Sequence, residues 1–145
     1  MLRLIASLAF AAALLGSAAS AIAQPTGAVI VQVENVRSSQ GHVRVELCTE
    51  GTFLTEDCVV GGSAPAQRGE TVVTLVDVPP GVYAVQVFHD ANDDHKLNRG
   101  AFGIPTEDFG FSREAPLGLH GPQFIKAAFN HAADEQVVTL HLRHF

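Results

Sequence analysis

Apolar and polar residues alternate along most of the chain with a period of two. In residues 28–36, Val29, Val31 and Val33 share one face, with Gln32 and Glu34 on the other. That alternation predicts a half-buried strand. Residues 42–48 repeat it, with Val43, Val45 and Leu47 on one side and His42, Arg44 and Glu46 on the other. The turn residues 38–41, ending in Gly41, lie between the two and predict a hairpin with one wet face. Residues 49–69 read as a long connection anchored by Phe53 and Leu54. Residues 70–78 carry Val72, Val73, Leu75 and Val76 and predict a third strand, closed by a turn at Pro79, Pro80 and Gly81. Residues 82–88 are apolar on both faces, which predicts a central strand. Residues 116–122 are a Gly/Pro loop. Residues 124–131 and 136–142 predict a closing hairpin around 132–135, with Val138, Leu140 and Leu142 facing the core. A helix can be drawn over 123–133, but its flanks favour a strand. About seven short strands joined by Gly/Pro turns predict an all-β fold, a single β-sandwich.

The first residues depart from this pattern. Arg3 precedes an uncharged apolar run, and Ala21-Ile22-Ala23 has the small-x-small spacing of a signal-peptidase site. This predicts a signal peptide over 1–23, a single domain over 24–145, and a periplasmic or secreted location. The run from 4 to 23 is long enough to span a bilayer, but Ala and Ser dominate its second half, which favours cleavage over an anchor. No membrane insertion is expected once it is removed. The whole chain carries 15 Asp and Glu against 9 Lys and Arg, a formal charge of −6. Loss of Arg3 takes this to −7. An acidic exported chain has no electrostatic footprint for nucleic acid, and its expected partner is an envelope or extracellular ligand. Cys48 and Cys58 are its two cysteines. An even count in an exported chain predicts a disulfide between them, and their spacing is not that of a Cys-x-x-Cys redox or metal pair.

The candidate chemistry lies after the central strand. Asp90, Asn92, Asp94, Lys96 and Asn98 take positions 1, 3, 5, 7 and 9 of a twelve-residue calcium loop, whose alternate residues turn oxygens inward and whose seventh gives a backbone carbonyl. His95 stands at position 6, where Gly makes the usual turn, and Ala101 at position 12, where a bidentate Glu is usual. Glu107 or Asp108 could complete the shell, because Pro105 and Gly110 let the chain fold back. Ca²⁺ is therefore the candidate cofactor. The alternative is a loop whose Asp and Asn side chains bond their own backbone, with Lys96 and Arg99 neutralising the acids. His89, an acid and Ser112 can be assembled as a hydrolytic set, but no Gly-x-Ser-x-Gly elbow supports them. The seven histidines lack the spacing of a zinc site. Phe102, Phe109 and Phe111 either fasten the loop to the core or line a ligand groove.

These residues carry a resemblance. The run from Gly81 to Asp90, then Asn92, Asp94 and Lys96-Leu97-Asn98, then Phe102-Gly103-Ile104-Pro105-Thr106-Glu107 and Gly110-Phe111-Ser112 resembles an exported bacterial family, domain of unknown function 2141. Pro122-Gln123-Phe124 and Ala127-Ala128-Phe129 resemble its closing strand. The resemblance implies a signal peptide and a small sandwich of the transthyretin-like or immunoglobulin-like kind, and it implies no activity. Members often have Gly near His95 and Asp near Asn98. The expectation is a non-catalytic binding or envelope-associated module, with Ca²⁺ or a self-bonded loop at 90–98. The alternatives are a metal-assisted hydrolase using His89 and Glu107, or a small-ligand carrier.

Overall fold

The computed structural model describes residues 22–145. Residues 1–21, the bulk of the expected signal peptide, lie outside the described residues. The described residues are almost wholly β, with eight strands in two sheets and three short helical turns, Ala101–Gly103, Ser112–Glu114 and Phe124–Ala127. The strands are β1 (Gly27–Val36), β2 (His42–Cys48), β3 (Val60–Pro65), β4 (Gly69–Val78), β5 (Gly81–Asp90), β6 (Phe109–Phe111), β7 (Phe129–His131) and β8 (Gln136–His141). One sheet has the order β4-β1-β8. The other has the order β3-β2-β5-β6, with β7 also paired to β5.

The alternation seen in the sequence is the alternation of burial. Val29, Val31 and Val33 of β1 are fully buried, as are Val43, Val45 and Leu47 of β2. Together with Val73 and Leu75 of β4, Tyr83, Val85 and Val87 of β5 and Leu140 of β8 they form one core between the sheets. Each of these side chains removes apolar area from water at roughly 25 cal/mol per Å². β5 is central, as its two apolar faces require. Its other face carries Ala84 and Phe88, which meet Phe109 and Phe111 of β6 in a second cluster completed by Phe53, Leu97 and Phe124.

Strand pairing differs from expectation in three places. β1 and β2 do not form a hairpin. β1 pairs antiparallel with β4 and parallel with β8, whereas β2 pairs with β3 and β5. Residues 37–41 cross from one sheet to the other, so the two valine faces meet across the core. Residues 124–131 and 136–142 are not a hairpin either. They contain one helical turn (Phe124–Ala127), then β7 against β5 and β8 against β1. The connection 49–69 contains β3, an eighth strand hidden by Gly61, Gly62 and Pro65. A Cβ on Gly62 would lie 2.7 Å from Leu75 Cδ2, so a glycine here lets β3 close over β4.

The disulfide is present, with the Cys48 and Cys58 sulfurs 2.10 Å apart. It closes the loop that leads into β3. Phe53 anchors this loop through edge contacts with Phe111 and Phe124. Leu54 does not: its side chain is 49 % exposed, and only its N–H is held, by Gln86 Oε1 at 2.9 Å. On the far edge, Phe109 and Arg143 exchange backbone hydrogen bonds of 3.0 and 2.7 Å and tie β6 to the chain after β8.

His141 marks this edge. Its Nε2 lies 2.9 Å from Glu34 and its Nδ1 3.0 Å from Glu114. The Glu114 hydrogen bond, only partly opposed by desolvation, holds the imidazole above its ordinary value of 6.5. A raised folded value stabilises the fold fully below the unfolded value and loses that contribution as pH rises through the folded one. NMR titration of His141 should therefore show a midpoint above 6.5, and Glu114→Gln should bring it down.

Gly41 takes φ +63°, and a Cβ there would sit 2.0 Å from the Asp90 carbonyl oxygen. Gly41→Ala should lose more than about 2 kcal/mol in chemical denaturation, from left-handed strain and this clash together.

Candidate functional site

The long crossover from β5 to β6 begins where Asp90 ends β5. Two residues in its first turn are left-handed, Asp93 at φ +57° and His95 at φ +66°. They curl the backbone so that its amides point back at Asp90. Asp90 Oδ1 accepts the Asp94 N–H at 3.1 Å, and Oδ2 accepts the His95 N–H at 3.0 Å. Position 6 of the loop thus has the conformation expected of Gly although it is His95.

The Asp90 side chain is 0 % exposed and forms an ion pair with Nε of Arg44, on the neighbouring strand β2. Burial pushes its carboxyl up. The Arg44 hydrogen bond, the His95 amide, the Arg44 charge and the Asp94 amide together outweigh that and hold it below the ordinary 3.8. Asp93 receives His42 Nδ1 at 2.6 Å, with Arg44 Nη2 at 3.8 Å.

Asp94 turns the other way. It accepts Asn98 Nδ2 at 2.8 Å, Asn92 Nδ2 at 3.2 Å and the Lys96 N–H at 3.0 Å. The Asn98 hydrogen bond above all, against desolvation, lowers its carboxyl below 3.8. Glu107 folds back as its neighbours Pro105 and Gly110 allow. It accepts the Ala91 and Asn98 amides at 3.3 and 3.0 Å. Asp108 does not join the loop. It is buried against Arg37, at 2.6 and 2.8 Å, and His144, at 2.8 Å.

Asp90, Asn92, Asp94, Asn98 and Glu107 are therefore brought into one stretch, and Lys96 contributes its amide while its side chain is exposed. Among the described residues, no three His, Cys, Asp or Glu side chains converge as a metal cluster. His89, Glu107 and Ser112 are not brought together by hydrogen bonds. His89 Nε2 bonds Gln40 O at 2.7 Å. Ser112 Oγ is buried between the Val85 N–H and Ala127 O, at 2.9 and 2.7 Å.

The loop also walls a groove. Gln86 lies opposite Phe111 and Phe88 opposite Phe109 in the β5–β6 register, so all four side chains share the outer face of the sheet. They floor a cavity of about 220 Å³. Leu54, Thr55 and Glu56 of the disulfide loop form one wall, and Lys96, Leu97 and Arg99 of the Asp/Asn loop the other. Glu46 of β2 adds a second acid, beside Gln86. Gln86 fixes the first wall by donating to Thr55 O at 2.8 Å. Phe109 and Phe111 thus both fasten the crossover and line the groove. Phe102 does neither: it is 100 % exposed at the tip of the turn between Arg99 and Pro105, at φ +60°.

Arg44 and Gln86 escaped the sequence reading. Arg44 sits at an outward position of an alternating strand, where a polar residue reads as solvated, and Gln86 is the lone polar residue within the otherwise apolar run 82–88. The one signal was that β5 is apolar on both faces, which requires a cover over Gln86.

Two sheets around a shared core, with a self-bonded Asp/Asn crossover and an outer groove, define a small all-β module. A family model described as an uncharacterized protein conserved in bacteria, domain of unknown function 2141, matches residues 31–139. The chain belongs to that family. No curated protein and no solved structure matches it.

Asp90→Asn should remove the buried counter-charge of Arg44, leaving only the more exposed Asp93 near it, and lower stability by about 3 kcal/mol in urea melts. A carboxyl lowered in the folded state contributes stability above its unfolded value and loses it as pH falls through the folded one. The wild type should thus lose stability as pH drops below about 3.8, and the variant should lose less over that range.

Proposed function

We propose that the chain is an exported, non-catalytic binding module, a β-sandwich of the immunoglobulin-like or transthyretin-like kind, working in the periplasm or outside the cell. The observation that carries this reading is the groove on the outer sheet face. Its floor is three phenylalanines and Gln86, and its walls bear Glu56 on one side and Lys96 and Arg99 on the other. An apolar floor with a few polar groups at the edge is the usual make-up of a small-molecule site. A volume of about 220 Å³ is smaller than the ~300–1,000 Å³ of drug-sized sites, which suits a small amphipathic molecule. The Cys48–Cys58 pair supports export, because such bonds persist in oxidising compartments. The groove wall that carries Leu54 to Glu56 belongs to the loop this disulfide closes.

Native mass spectrometry of the gently purified mature protein tests the reading. A bound small molecule is expected in the wild type. Thr55→Trp, which fills the groove from an exposed loop, should abolish it while Tm stays within a few degrees. A wild type that carries no ligand and gains no Tm against a metabolite panel would end this reading.

A further inference from the structure

We propose that Arg44 acts as a built-in cation, standing where a calcium-type loop would otherwise close on a dissociable ion. The inference is independent of what the groove binds. The backbone of 90–98 has the curl such a loop needs, with left-handed residues at Asp93 and His95 and two amides returned to Asp90. A dication in that curl would be ligated first by Asp90. The Asp90 carboxylate is instead fully buried against the Arg44 guanidinium, itself only 18 % exposed.

The remaining acids also accept from protein donors, Asp93 from charged or ionisable side chains and Asp94 and Glu107 from neutral amides. Asp93 faces His42 and Arg44. Asp94 faces the amide groups of Asn92 and Asn98. Glu107 faces two backbone amides. A buried carboxylate needs a positive partner, and an arginine held on a strand supplies one that cannot diffuse away. His42 and Arg44 come from β2, two residues apart, so the register of β2 against β5 sets both contacts. The groove wall at Lys96, Leu97 and Arg99 is thereby shaped at any calcium concentration.

The experiment compares melting of the mature wild type, Arg44→Ala and Arg44→Ala/Asp90→Asn in 5 mM Ca²⁺ (a chosen excess) and in EDTA. The wild type is expected to shift by less than about 1 °C between the two, because no site is open. Arg44→Ala should melt about 10 °C lower than wild type in EDTA and regain about 5 °C in Ca²⁺, as the ion takes the vacated position. The double variant should show no calcium effect. A calcium-dependent shift in the wild type, or none in Arg44→Ala, would overturn the proposal. Should Arg44→Ala fail to fold in EDTA, Arg44→Gln, which removes the charge but keeps a hydrogen-bond donor, replaces it, with the same calcium response expected and its absence equally fatal. Calorimetric titration of wild type with Ca²⁺ gives an independent reading: heat that disappears in Asp90→Asn would likewise overturn it.

Discussion

The Arg44–Asp90 ion pair is the constraint on which the outer face of the molecule depends. It joins the middle of β2 to the last residue of β5, at the point where the chain leaves the sheet. Without a charge partner, a carboxylate at that depth would have to protonate or pull the turn open to water. With it, the first turn of the crossover is held against the sheet. Glu107 then fastens the returning limb to the same turn. The groove inherits its shape from this arrangement, since one of its walls is the turn and the other is the disulfide loop clasped by Gln86.

The strands themselves were legible because burial follows alternation, and alternation is a local property. Val29, Val31, Val33, Val43, Val45 and Leu47 point inward as their spacing requires. Pairing was less legible, for a physical reason. A strand with one apolar face satisfies that face equally well across a turn in the same sheet or across the core in the opposite one. Residues 37–41 and 132–135 are short enough for either route. β8 beside β1 is a parallel contact between the two ends of the domain, and no local signal encodes it. β3 was hidden because glycine and proline weaken a strand pattern, although here the small residues are what allow it to cover Leu75 and Val73.

The site divides in the same way. The spacing of Asp90, Asn92, Asp94 and Asn98 announced a curled turn, and Glu107 returned to it as its neighbours allowed. What the spacing could not announce is the strand facing Asp90. Arg44 lies 46 residues earlier, at a position whose neighbours make it look solvated. Of the three phenylalanines singled out, Phe109 and Phe111 lie in a strand, where register sends them to a defined face. Phe102 lies at a turn tip, where no register applies.

The placement of β1 between β4 and β8 bears on how the chain reaches this structure. Among the described residues β1 is the first strand to be made, and one of its two neighbours is the last. Its pairing with β8 joins residues 107 positions apart, as between Gln32 and Thr139. Loop-closure entropy makes such distant contacts slow to form, so high contact order should place completion of this sheet late in folding. Until then β1 has an open edge lined with valines, of the sort that templates association between chains. The C-terminal strand therefore serves as a closing cover for the N-terminal one, and truncating the chain before residue 136 would leave that edge open permanently.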